Sequence, residues 1–131
     1  MYAGATFVGY NYDIKIKAVF NAYSEKEKLD DAEDDVLEMH DKALMNNDFK
    51  DCDKTTVDKQ QKLGHGWKMV VYSDFTVNVT APDIDEAFDV AAGVVDEMEL
   101  PSGLHLHTFC IDTYEMVYPE PEYVFHEEWG W

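Results

Sequence analysis

Two stretches of this chain follow one plan, and that duplication limits its fold more than any other feature. Asp13 to Met39, DIKIKAVFNAYSEKEKLDDAEDDVLEM, is answered by Asp74 to Met98, DFTVNVTAPDIDEAFDVAAGVVDEM. The strand-like openings align at an offset of 61, with Ile14 opposite Phe75 and Ile16 opposite Val77. The helix-like halves align at an offset of 59, with Ser24 opposite Asp83 and Leu29 opposite Phe88, so the second connecting loop is two residues shorter. Downstream, Cys52 and Thr55 fall opposite Cys110 and Thr113 at an offset of 58. The chain reads as two diverged strand-helix-strand units, residues 1–61 and 62–131, in a single domain.

In the first unit, Thr6 to Tyr10 and Asp13 to Phe20 are rich in β-formers. Ile14, Ile16 and Ala18 alternate with Lys15 and Lys17, the pattern of a strand with one dry and one wet face. Ser24 with Glu27 three residues later forms a capping box, which predicts a helix from about Glu25 to Leu44. Leu29, Ala32, Val36, His40, Ala43 and Leu44 make its buried stripe. Asn46 and Asn47 end it, and the polar stretch Phe49 to Val57 suits a weak edge strand.

Gly64 and Gly66 punctuate the junction between the units. Trp67 to Tyr72 and Phe75 to Thr80 are strong strand sequence, with a bulge expected at Ser73 and Asp74. Pro82 and Asp83 open a second helix whose inner stripe is Ile84, Ala87, Phe88, Ala91, Val95 and Met98. Pro101, Ser102 and Gly103 turn the chain into a last strand, Leu104 to Tyr118. Residues 119–131 form an acidic, aromatic tail, PEPEYVFHEEWGW.

Two such units joined by right-handed crossovers give an α+β fold, the ferredoxin-like βαββαβ split sandwich, with an antiparallel sheet and two helices on one face. The first strands of the units are then central neighbours, and the last strands lie at opposite edges. Cys52 and Cys110 would sit on those edges, too far apart for a disulfide, and are expected as free thiols.

Charge sets this chain apart. It has 131 residues, with 28 Asp plus Glu against 10 Lys and no Arg, for a net charge of −18. Residues 1–61 hold 14 acids and 8 Lys, and residues 62–131 hold 14 acids and 2 Lys. Neither half is basic, which disfavours direct binding to nucleic acid or to an anionic membrane. A hydrophobic content of 46% still supports a packed core rather than an acidic tail. Met1 to Phe20 has none of the regions of a secretory signal, and no apolar run reaches spanning length, so the expected location is the cytoplasm. For a phage-encoded protein that means the cytoplasm of the host cell.

No residue pattern argues for an enzyme, and none is expected. There is no P-loop, no G-x-S-x-G elbow, no dinucleotide-binding glycine fingerprint and no H-E-x-x-H. Asp51, Asp53, Thr55 and Asp58 are spaced somewhat like a calcium loop but lack its glycine and its final glutamate. His105 and His107 would share a strand face with no third ligand nearby, and His40 belongs to a buried stripe. No metal and no cofactor are expected.

The remaining signal is a row of carboxylates. Glu27, Asp31, Asp34 and Glu38 fall three or four residues apart on the outer side of the first helix, and Asp41 widens the row. Like charges at that spacing repel, so the row is kept at a cost. In the tail, Glu120, Glu122, Glu127 and Glu128 alternate with aromatics that include Trp129 and Trp131. These eleven residues are the expected partner-binding set.

In size, charge, fold class and acidic ridge the chain resembles small acidic nucleic-acid mimics, the class used by phages and mobile elements as anti-restriction, anti-CRISPR or polymerase-blocking inhibitors. The resemblance implies a partner with a basic nucleic-acid-binding groove, such as a nuclease, a Cas effector or a polymerase. The competing class is a non-enzymatic ligand-binding or assembly module with an acidic, solubilising surface, which would form a homodimer through sheet edges or faces.

Overall fold

The computed structural model describes the backbone of residues 5–117 and 122–125, with side chains described from residue 9 to residue 117. Its elements are β1 (Ala5–Ser24), α1 (Leu29–Asn46), β2 (Lys50–Asp51), β3 (Thr56–Leu63), β4 (Gly66–Ala81), α2 (Ile84–Asp96), β5 (Leu104–Met116) and β6 (Glu122–Phe125). The strands form one antiparallel sheet in the order β2-β4-β1-β5. β3 also pairs with β4, and β6 pairs with the start of β1. This α+β arrangement of an antiparallel sheet and two helices is consistent with the ferredoxin-like type.

The alternation in β1 places the core. Tyr12, Ile14, Ile16, Ala18, Phe20 and Ala22 are all buried, while Lys15 and Lys17 between them are exposed. Across the ladder, Val79, Val77, Phe75, Ser73, Val71 and Met69 of β4 pair with those six in turn and are buried too. Both helices cover this face. Ala32, Val36, His40, Ala43 and Leu44 are the buried residues of α1, and Ala87, Ala91 and Val95 those of α2. Edge-on ring contacts of Tyr114 with Tyr12 and Phe88 join β5 and α2 to the sheet.

Several boundaries differ from the sequence expectation, each for a tertiary reason. The first strand runs on to Ser24, which pairs with Trp67, so the chain stays extended where a helix cap was expected. Helix α1 starts at Leu29, its N-cap position is Lys28, and no side chain caps it. The hydroxyl of Ser24 instead donates to Asp35 Oδ2 at 2.6 Å and accepts from the backbone N–H of Lys26. At α2 the expected cap holds, with Asp83 accepting from the Glu86 N–H at 2.9 Å.

The bulge expected at Ser73 and Asp74 is absent, and β4 pairs with β1 in one register from Ala81 to Trp67. Ser73 fits an inward position because His40 satisfies its hydroxyl. Irregularities fall instead in β5, opposite Lys15/Ile16 and Val19/Phe20, and in β3. The weak edge strand is split into β2 and β3, and β3 reaches Leu63 before the two-residue turn Gly64-His65. Gly64 has φ +60, which the turn requires and glycine supplies without strain.

Cys52 and Cys110 are free, the former half-buried and the latter exposed. They stand at opposite ends of the strand order, on the β2 side and on β5. No helix among the described residues is long and apolar enough to cross a membrane.

Candidate partner-binding face

The two helices hold most of the net negative charge among the described residues. α1 carries seven acids and one lysine, and α2 carries four acids and none. By contrast the six strands together hold six lysines and seven acids, close to balance. Lys15 and Lys17 point away from the buried face of β1, and the excess of acids lies on the helices rather than on the sheet. Among the described residues, one Lys–carboxylate pair lies within 4.0 Å, Lys42 with Glu38 at 3.4 Å. Among the described residues the other helix carboxylates have no lysine within 4.0 Å.

Asp31, Asp34 and Glu38 are exposed on α1 and line one shallow depression together with Asp35 and Lys26. Asp30 and Asp31 sit in the first turn, where the helix dipole favours negative charge. No lysine or arginine occupies the last turn.

Two members of the expected row belong elsewhere. Glu27 precedes the helix and lies in the loop between β1 and α1, because the expected cap Ser24 is paired in the sheet and α1 begins only at Leu29. Its carbonyl accepts from Trp67 Nε1 at 3.0 Å and from Lys62 Nζ at 3.1 Å, and Lys62 also stands 5.2 Å from the centre of the Trp67 ring. The Glu27 side chain remains exposed. Asp41 turns toward the neighbouring His40, with Oδ1 3.1 Å from Nδ1.

The tail residues Glu120, Glu127, Glu128, Trp129 and Trp131 lie outside the described residues. Glu122 begins β6, whose backbone pairs with Ala5 to Gly9 of β1, and its side chain also lies outside the described set.

One grouping carried no sequence signal. His40, Asp41 and Asp51 bring ligand-type atoms within 4.8 Å of one another. The turn after α1 assembles it, through the Phe49 N–H to Leu44 carbonyl bond and the stacking of Phe49 on Phe75 at 5.1 Å. On the far side of the imidazole, Nε2 lies 2.5 Å from Ser73 Oγ. Ser73, His40 and Asp41 are thus linked in the order of a hydrolytic triad, but Ser73 is only 2% exposed, and a substrate carbonyl has no access to its hydroxyl. The pair His105 and His107 is interrupted, because Phe20 pairs with Leu106 and Val19 with Thr108, leaving His107 as the extra residue of a bulge.

Comparison of the chain with protein-family models, with curated proteins and with solved structures finds no match in any of the three.

Proposed function

We propose that this protein is an acidic nucleic-acid mimic, a non-enzymatic inhibitor that occupies the basic groove of a nucleic-acid-processing protein. The observation that carries this reading is the concentration of acids on α1, seven against one lysine. Eighteen residues of α-helix span about 27 Å. On its exposed face Asp31, Asp34 and Glu38 recur every three or four residues, one carboxylate per about 5 Å, the same order as the spacing of about 3.4 Å along one strand of duplex DNA. A basic groove shaped for phosphates gains from such a row through charge neutralisation and counterion release. A nuclease, a Cas effector or a polymerase has that kind of groove, and an anti-restriction or anti-CRISPR role in the cytoplasm of a phage host follows from it.

The finer fold reading belongs with this proposal: a ferredoxin-like split sandwich built from two diverged strand-helix-strand copies. It is supported by the central pairing of β1 with β4 and by the inward placement of both Ile14 and Phe75, and of both Ile16 and Val77. If the copies began alike, the outer face of α1 has since gained acids while α2 exposes Val90, Gly93 and Val94.

The test compares two charge-neutralised triples. Asp31→Asn/Asp34→Asn/Glu38→Gln removes three charges from α1, and Asp85→Asn/Glu86→Gln/Asp89→Asn removes three from α2. The wild-type chain should capture a nucleic-acid-processing protein from a bacterial lysate at low salt and release it at high salt. The α1 triple should lose that capture while the α2 triple keeps it. Equal losses from both would reduce the effect to net charge and end the claim of a specific surface.

A second reading, an assembly or ligand-binding module, is favoured by edge strand β5, where Tyr114 is 50% exposed and Met116 40%. A homodimer on sizing that is dissociated by Tyr114→Glu, with no salt-dependent capture, would select it.

A further inference from the structure

We infer that His40, Asp41 and Asp51 form a binding site for a borderline divalent cation such as Zn2+, beyond the inhibitory role proposed above. Their three ligand-type atoms lie within 4.8 Å of one another. The 3.1 Å between His40 Nδ1 and Asp41 Oδ1 matches the separation of about 3.0–3.4 Å expected for neighbouring donors held about 2.1 Å from one metal ion.

Two further features favour a cation over a plain hydrogen bond. The first is Asp51: a second carboxylate converges on an imidazole that one carboxylate already satisfies, and among the described residues neither Asp41 nor Asp51 has a lysine within 4.0 Å. Two carboxylates this close repel each other unless positive charge lies between them. The second is Ser73, which holds Nε2 at 2.5 Å and so fixes a fully buried ring with Nδ1 toward the carboxylates. Outer partners of this kind orient metal-ligating histidines.

The donor set of one nitrogen and two oxygens selects a borderline ion over calcium or magnesium, which take oxygen alone. Asp41 is 66% exposed, which gives the ion a route in and leaves room for water to complete its coordination. This departs from the sequence expectation of no metal, because Asp51 reaches the site only through the turn into β2.

The test is calorimetric titration of the metal-stripped full chain with Zn2+, with the imidazole resonances followed by NMR. One Zn2+ should bind per chain and shift the ring nitrogens of His40. Asp51→Asn should weaken binding by about tenfold or more. Asp31→Asn removes the same charge from the acidic row of α1 and should change it less than about twofold. Asp51 is altered in preference to His40 because it is only half-buried, and the thermal midpoint of the metal-free variant checks that the fold survives. Equal weakening in the two variants, or His40 resonances that do not move with Zn2+, would overturn the assignment and leave only diffuse attraction to an acidic surface.

Discussion

His40 Nε2 and Ser73 Oγ, 2.5 Å apart, join α1 to the central strand β4 inside a mostly apolar layer. Both groups are buried, so each satisfies the other where water cannot. Ser73→Ala should leave the imidazole nitrogen without a partner and cost about 1–3 kcal/mol. The double change His40→Leu/Ser73→Ala removes both polar groups and should cost less than the sum of the singles. Urea unfolding of the four proteins measures the coupling, and strictly additive losses would show that the contact contributes nothing.

Two glycines should respond to alanine with opposite signs. Gly93 is exposed within α2, and a Cβ there meets nothing within 4 Å, so Gly93→Ala should stabilise the protein by about 1 kcal/mol through helix propensity. At Gly66 the same atom would collide with the Ser24 carbonyl and the Tyr23 ring, where β4 begins beside the end of β1. Gly66→Ala should cost at least about 2 kcal/mol by overpacking. Thermal midpoints shifted in the same direction would contradict the described backbone.

Alkaline pH should expose the burial of Tyr12. Burial raises its phenol above the usual 10.0, and the Asp83 carboxylate and then Tyr10 and Tyr114 add to the effect. The folded state therefore keeps this proton to higher pH than the unfolded chain does. The stabilisation is complete below about pH 10 and is lost as pH rises through the higher folded value. Above pH 10, Tyr12→Phe should lose urea stability less steeply than the wild type. Parallel curves would mean that the phenol is no harder to ionise in the fold.

The thiols offer a check on strand order. β2 and β5 are three strand steps apart, about 14 Å, well beyond the reach of about 7 Å for a disulfide. An aerobic preparation should titrate as two thiols after unfolding. In the folded state Cys110 should react first, since Cys52 is half-buried with Sγ 3.5 Å from Thr76 Oγ1. An intramolecular disulfide would require a different sheet.

The sequence by itself determined the layers. Alternation from Tyr12 to Ala22 and the three- and four-residue stripes on α1 and α2 are local periodicities, and a residue facing the core is readable wherever its near neighbours set the repeat. The cap at Asp83 and the acidity of α1 were legible for the same reason. Tertiary structure decided what depends on partners far along the chain. Ser24 was drawn into the sheet by Trp67 and Asp35, which moved the start of α1 and took Glu27 off the helix. Ser73 reads as a break in an apolar strand until His40, 33 residues away, satisfies it. The approach of Asp51 to His40 also arises only on folding. Charge and periodicity are properties of the chain, whereas convergence is fixed by which strand edge each turn delivers a residue to.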